Sequence, residues 1–155
     1  MLLFCEYDFN IFELSGHVIR VHCEINIEPE TRMSSEHLSI LETKVATHLS
    51  DPTILSQSLT QEVTNQLNGL HEVGIDMIGA TPTGSVIVYF SCQTFQSIVA
   101  FKQMVVNGEL TRILEELFNR ILGLSALFHV KLMVSLSETE YRSCIEAARR
   151  TSKTC

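Results

Sequence analysis

The sequence predicts an α+β domain: a four-stranded, mainly antiparallel sheet with helices on one face. Three observations predict it. Apolar residues alternate with polar ones in separated short runs, which is the period of a half-buried strand. Between those runs they recur at three and four residues, the period of a helix that buries one stripe. At 155 residues, 45% hydrophobic and 19% charged, the chain is one domain's length and apolar enough to fold around its own core.

From Ile19 the alternation is strict. Ile19, Val21, Cys23, Ile25 and Ile27 share one face, while Arg20, His22, Glu24, Asn26 and Glu28 share the other. Pro29 ends this strand. Leu38, Leu41, Val45 and Leu49 then mark a helix. Asp51-Pro52, a capping residue followed by a first-position proline, opens a second helix along Leu55, Leu59, Val63 and Leu67, with Asn68-Gly69 as its stop. Val73 to Ile78 reads as a strand with Val73, Ile75 and Met77 on one face. Thr81-Pro82-Thr83-Gly84 turns it into a second strand over Ser85 to Cys92, so the two form a hairpin.

Thr94 caps a helix containing Phe95, Ile98, Val99 and Val105, and Asn107-Gly108 is its C-cap or a kink. A further helix runs through Leu110, Ile113, Leu114, Leu117, Ile121 and Leu122, with Glu115 and Glu116 read as its solvated face. Phe128, Val130, Leu132, Val134 and Leu136 alternate with His129, Lys131, Met133 and Ser135 in a fourth strand. Ser137-x-x-Glu140 resembles a capping box before a last helix whose inner stripe is Tyr141, Cys144, Ile145 and Ala148. The order β-α-β-β-α-β plus a C-terminal helix is that of a ferredoxin-like two-layer sandwich. One domain spans 1–155: an apolar leader at 1–16, the core at 17–150 and a tail at 151–155.

The net charge of −7 argues against a nucleic-acid partner, which requires a basic face. No run is long enough for a membrane span, and the start lacks the basic flank of an export signal, so the expectation is a cytoplasmic protein. Five cysteines at scattered positions make neither a disulfide framework nor a zinc motif. The six histidines are scattered too: His37 and His48, although on one helical face, are ~16 Å apart. No catalytic motif stands out, and no metal or cofactor is expected. Arg142, Arg149, Arg150 and Lys153 form a basic end that suits a helix C-terminus, or else an acidic or phosphate-bearing partner.

What the pattern does single out is the sheet face turned away from the helices. Alternation places Arg20, His22, Glu24, Asn26, Ile87, Tyr89, His129, Lys131 and Met133 there. Ile87, Tyr89 and Met133 are adhesive groups rimmed by charge, as a docking surface needs. The predicted partner-binding set is Arg20, His22, Glu24, Ile87, Tyr89, Lys131 and Met133. The alternative is that Phe4, Phe9, Ile11, Phe12 and Leu14 of the leader fold over this face.

Two resemblances add to this reading. The stretches G-S-V-I-V-Y-F-S-C-Q-T-F from Gly84, V-N-G-E-L-T-R-I-L-E-E-L-F from Val106, the strand at 130–136 and E-Y-R-S-C from Glu140 resemble the TRADD-N-like domain family, that of the death-domain adaptor of the tumour-necrosis-factor receptor. The positions carrying the match are Cys92, Gly108, Leu110, Glu140, Tyr141 and Cys144, all in the C-terminal half. The resemblance implies an α/β sandwich without catalysis, an adaptor in cell-death or innate-immune signalling. Its partner would be a signalling protein, of TRAF type or a second copy of the domain. Separately, Gly84-Ser85-Val86-Ile87-Val88 resembles the turn and strand of SEA domains. That resemblance implies self-cleavage before the serine; otherwise Ser85 simply begins a strand. A small-ligand-binding ferredoxin-like regulatory domain is a third alternative.

Overall fold

The computed structural model describes residues 17–28, 34–124 and 127–154, and the side chains of those up to 150. The expectations placed on the leader at 1–16 and on Pro29 lie outside the described residues; of the tail expected at 151–155, residues 151–154 continue the last helix, and Cys155 lies outside the described residues. Ten elements follow one another: β1 His17–Glu28, α1 Ser35–Ser50, α2 Pro52–Ser58, α3 Gln61–Glu72, β2 Ile75–Pro82, β3 Val86–Cys92, α4 Phe95–Val106, α5 Glu109–Leu122, β4 His129–Leu136 and α6 Glu138–Thr154.

The four strands form one sheet in the order β2-β3-β1-β4, and every neighbouring pair is antiparallel. On β1 the period of two holds along the strand: Ile19, Val21 and Cys23 are fully buried, while Arg20, His22, Glu24 and Asn26 are exposed. The register lines the inward residues of β1 up with Phe90, Val88 and Val86 of β3 and with Leu132 and Val134 of β4. Helical stripes close over these positions. Leu110, Leu114, Leu117 and Phe118 of α5 and Ile98 and Phe101 of α4 are buried to within 1%. The rings of Phe90 and Phe101 meet at 5.0 Å between centroids, a tilted contact that adds to their area burial.

Three boundaries differ from expectation. The predicted helix over 52–68 is two helices, because Thr60 caps a new one: its hydroxyl accepts from the Val63 amide, 3.2 Å away. That new helix runs past Asn68-Gly69 to Glu72; a lone glycine in a packed helix is a modest penalty, not a stop. The strand expected at 73–78 is displaced to Ile75–Pro82. Val73 ends α3 and is 51% exposed, while the strand is carried to Pro82 by a bulge between Met77 and Gly79 that restores its pairing with β3. Elsewhere local signals hold. Thr94 and Ser97 form a reciprocal capping box at α4. Gly108 takes φ +82° between Asn107, which ends α4, and Glu109, which begins α5, a backbone state that favours glycine.

Candidate protein-docking face

The outward side of the sheet collects residues from all four strands in cross-strand rows. Arg20 lies beside Tyr89, and His22 lies between Ile87 and Ser135. Glu24 faces Met133, Asn26 faces Lys131, and Glu28 faces His129. All seven residues of the predicted partner-binding set are therefore on one surface. Met133 is 65% exposed, and Ile87 and Tyr89 are half-buried. Thr81 and the Tyr89 hydroxyl stand 3.3 Å apart, which fixes the tyrosine ring against β2. His22, Glu24, Met133 and Ser135 also border a shallow depression of about 310 Å³, closed on one side by the Gly84-Ser85 turn.

Arg20 does more than face solvent. Its backbone amide donates to Glu140 Oε1 at 3.1 Å, and its Nε donates to Oε2 at 2.8 Å. Glu140 therefore pairs across to β1 with its carboxylate. Of the capping box expected at Ser137-x-x-Glu140, the structure shows the half in which the Ser137 hydroxyl accepts from the Glu140 amide, at 3.2 Å. Four residues beyond Glu140, the Cys144 thiol donates to the Val18 carbonyl at 3.5 Å. β4 ends opposite Val21, so the first residues of β1 have no strand on that side. Side chains of α6 satisfy that length of backbone instead.

The outer edges of the sheet are capped in the same way at three residues, Val130, Leu132 and Ala80. On β4, Asn119 of α5 accepts from the Val130 amide at 2.7 Å and donates to the Val130 carbonyl at 3.3 Å. The carboxylate of Glu115 accepts from the Leu132 amide at 2.9 Å. On β2, the Ser50 hydroxyl accepts from the Ala80 amide at 3.1 Å and donates to the Ala80 carbonyl at 3.0 Å. Glu115, read from the sequence as part of a solvated face, is an edge cap. Nothing in the alternation pattern signals these caps, because each depends on which helix turn stands beside a strand edge. Unpaired edges invite another strand, and side chains hydrogen-bonded along them discourage that mode of association.

Reactive chemistry is sparse around this surface. Burial pushes the Cys23 thiol up to about 12. Cys92 is also held at about 12, first by burial and then by the neighbouring Cys144 and Asp76. Burial, then Glu140, raises Cys144. Such thiols are poor nucleophiles because little thiolate forms at neutral pH. His71 Nδ1 and Asp76 Oδ1 lie 2.6 Å apart on the surface, but the Ser91 hydroxyl, on the residue cross-strand from Asp76, is buried with no hydrogen-bond partner among the described residues. Among the described residues no three His, Cys, Asp or Glu side chains converge as a metal site, and no helix is long and apolar enough to cross a membrane. Gly84, in the turn before Ser85, takes φ +81°, a conformation that glycine adopts without strain. Comparison of the chain with family models, with curated proteins and with solved structures finds no match.

Proposed function

We propose that this chain is a non-catalytic interaction domain, an adaptor module of the TRADD-N-like type that docks a signalling protein on the open sheet face. The observation that carries this reading is the contrast between a face that displays Ile87, Tyr89 and Met133 among charged neighbours and edges whose backbone is capped by Ser50, Glu115 and Asn119. A surface of that kind recruits by side chains, with aromatic and aliphatic anchors at its centre and charge at its rim. The strand order β2-β3-β1-β4 supports reading the arrangement as a ferredoxin-like two-layer sandwich, with β1 and β2 parallel to each other and separated by β3.

The residues that carry the family resemblance have structural work in this fold. Cys92 and Leu110 are fully buried, Gly108 makes the α4–α5 turn, and Glu140 and Cys144 bind α6 to β1. The resemblance therefore supports the fold most directly, and the partner through it. In this reading the module works in the cytoplasm, where adaptors of this type assemble.

The test is a calorimetric titration against recombinant C-terminal domains of TRAF-type proteins. The wild-type chain should bind, and Ile87→Ser combined with Tyr89→Ala should weaken binding at least tenfold, about 1.4 kcal/mol, with the melting temperature kept. No binding by the wild type, or equal binding by the folded double variant, refutes the reading. Sedimentation of the chain alone reports whether the same face pairs with a second copy; a dimer broken by the double variant would replace the TRAF-type partner with a homotypic one.

A further inference from the structure

A second surface stands apart from the sheet face, on the helical side. Phe95 and Val99 of α4 and Tyr141 and Ile145 of α6 form the floor of a groove of about 400 Å³ between the two helices. Each of these four side chains is half-buried, so the groove is apolar and still reached by water. Its shape is held from both sides. The capping box of Thr94 and Ser97 fixes the start of α4 beside Phe95. Lys102 of α4 pairs with Glu138 at 2.7 Å and sits 4.4 Å from the centre of the Tyr141 ring.

The rim is cationic. Arg142 and Arg149 line the groove, and the Arg149 guanidinium lies over Phe95 at 5.6 Å from the ring centre. The one carboxylate among the lining residues, Glu146, stands 3.6 Å from Arg150, which is outside the groove lining. Among the described residues neither Arg142 nor Arg149 makes an ion pair. A chain of net charge −7 thus holds two arginines with no carboxylate at ion-pair distance among the described residues, although the charge of Arg142 also reaches Glu138, beside a half-buried apolar floor. Guanidinium groups pair well with carboxylates, and an apolar trough between helices suits the apolar stripe of another helix.

We infer that the α4–α6 groove binds an acidic amphipathic helix from a partner protein. Its apolar stripe lies along Phe95, Val99, Tyr141 and Ile145, and its carboxylates meet Arg142 and Arg149. The two arginines are seven residues apart on α6, a rise of about 10 Å, so the matching carboxylates are two turns apart on the partner. This occupant is independent of the sheet-face reading, since it uses none of the same residues.

A labelled synthetic helix of leucine, alanine and phenylalanine with glutamates seven residues apart is the probe, and fluorescence anisotropy with the full chain is the measurement. Saturable binding is expected, weaker at high salt. It should fall at least tenfold when glutamine replaces the probe's glutamates, and again in the variant Arg142→Glu with Arg149→Glu. Arg142→Lys with Arg149→Lys should recover part of the affinity, which a merely folded-state role for these arginines would not require. Ile87→Ser with Tyr89→Ala should leave probe binding intact, which separates this inference from the sheet-face docking. Equal binding of the glutamine probe, or binding indifferent to charge reversal in variants of unchanged melting temperature, overturns the inference. So does the absence of binding, including the case in which residues 1–16 of the chain already fill the groove.

Discussion

Ile19, Val21, Cys23 and Ile25 point one way from β1, while Arg20, His22, Glu24 and Asn26 point the other, and the two sets live under opposite constraints. Inward residues are fixed by packing. Each fills a position between β3, β4 and the helices, where a lost methyl group leaves a void. Outward residues are largely free of packing, so their identity is open to be set by what they touch in another molecule. The difference teaches where stability is stored: on one side of the sheet, one strand thick, which leaves the other side to the docking proposed above.

The largest expected effect falls on the inward side. Phe101→Ala removes a fully buried ring that packs on Phe90 and should cost about 3–5 kcal/mol, read as a large drop in the urea midpoint. The outward counterpart, Met133→Ala, truncates a residue that is 65% exposed and should move stability by less than about 0.5 kcal/mol. Comparable costs at the two positions would mean that the outward face is packed against something in the native state, and the contrast between the faces would fail.

The edge caps lie between these extremes. Asn119→Ala strips both backbone groups of Val130 of their partner and should cost about 1–3 kcal/mol, since the site is partly buried. Hydrogen exchange should report the loss locally, as faster exchange of the Val130 amide. Ser50→Ala does the same to Ala80 of β2, at the lower end of that range. If Asn119→Ala leaves both stability and the Val130 amide unchanged, water serves that edge as well as the side chain does, and the edge is open to strand addition after all.

The period of two on β1 and β4 was readable from the sequence because a half-buried strand forces alternation, and a one-residue slip would expose every apolar side chain. Hence all seven predicted face residues fall together. The caps at Thr94 and Asp51 were readable for a local reason: a hydroxyl or carboxylate reaches amides two or three residues on. The rest depended on distance through space. Glu140 finds Arg20 across 120 residues, and Glu115 finds Leu132 across 17, with no periodic signal to announce either. The division at Thr60 and the bulge at Met77 escaped for another reason. Leu55, Leu59, Val63 and Leu67 keep an uninterrupted helical stripe although the backbone breaks, and the bulge follows from pairing with β3, which local sequence does not show.

The smallest expected effects come from two glutamates whose environments push in opposite directions. Glu42 of α1 is 4% exposed, and burial raises its pKa above the ordinary 4.5. The folded state therefore holds this proton more tightly than the unfolded chain does. Stability falls as pH rises from about 4.5 through the raised value, and the penalty stays above it. Glu138 is the reverse: its hydrogen bond from Lys102, with the charges of Lys102 and Arg142 behind it, holds its pKa below the ordinary value. That contribution is present above the unfolded value and lost as pH falls through the folded one. Glu42→Gln should thus raise the melting temperature at pH 7, with the gain shrinking as the pH approaches 4.5. Glu138→Gln should lower it slightly at pH 7, with the loss vanishing in more acidic solution. Because Glu138 is exposed to salt and water, its effect should also fade at high ionic strength, while that of Glu42 should persist. Thermal melts across pH and salt for the two variants distinguish the buried carboxyl from the surface one. Parallel pH profiles for both would show that Glu42 is hydrated in solution and that burial does not govern it.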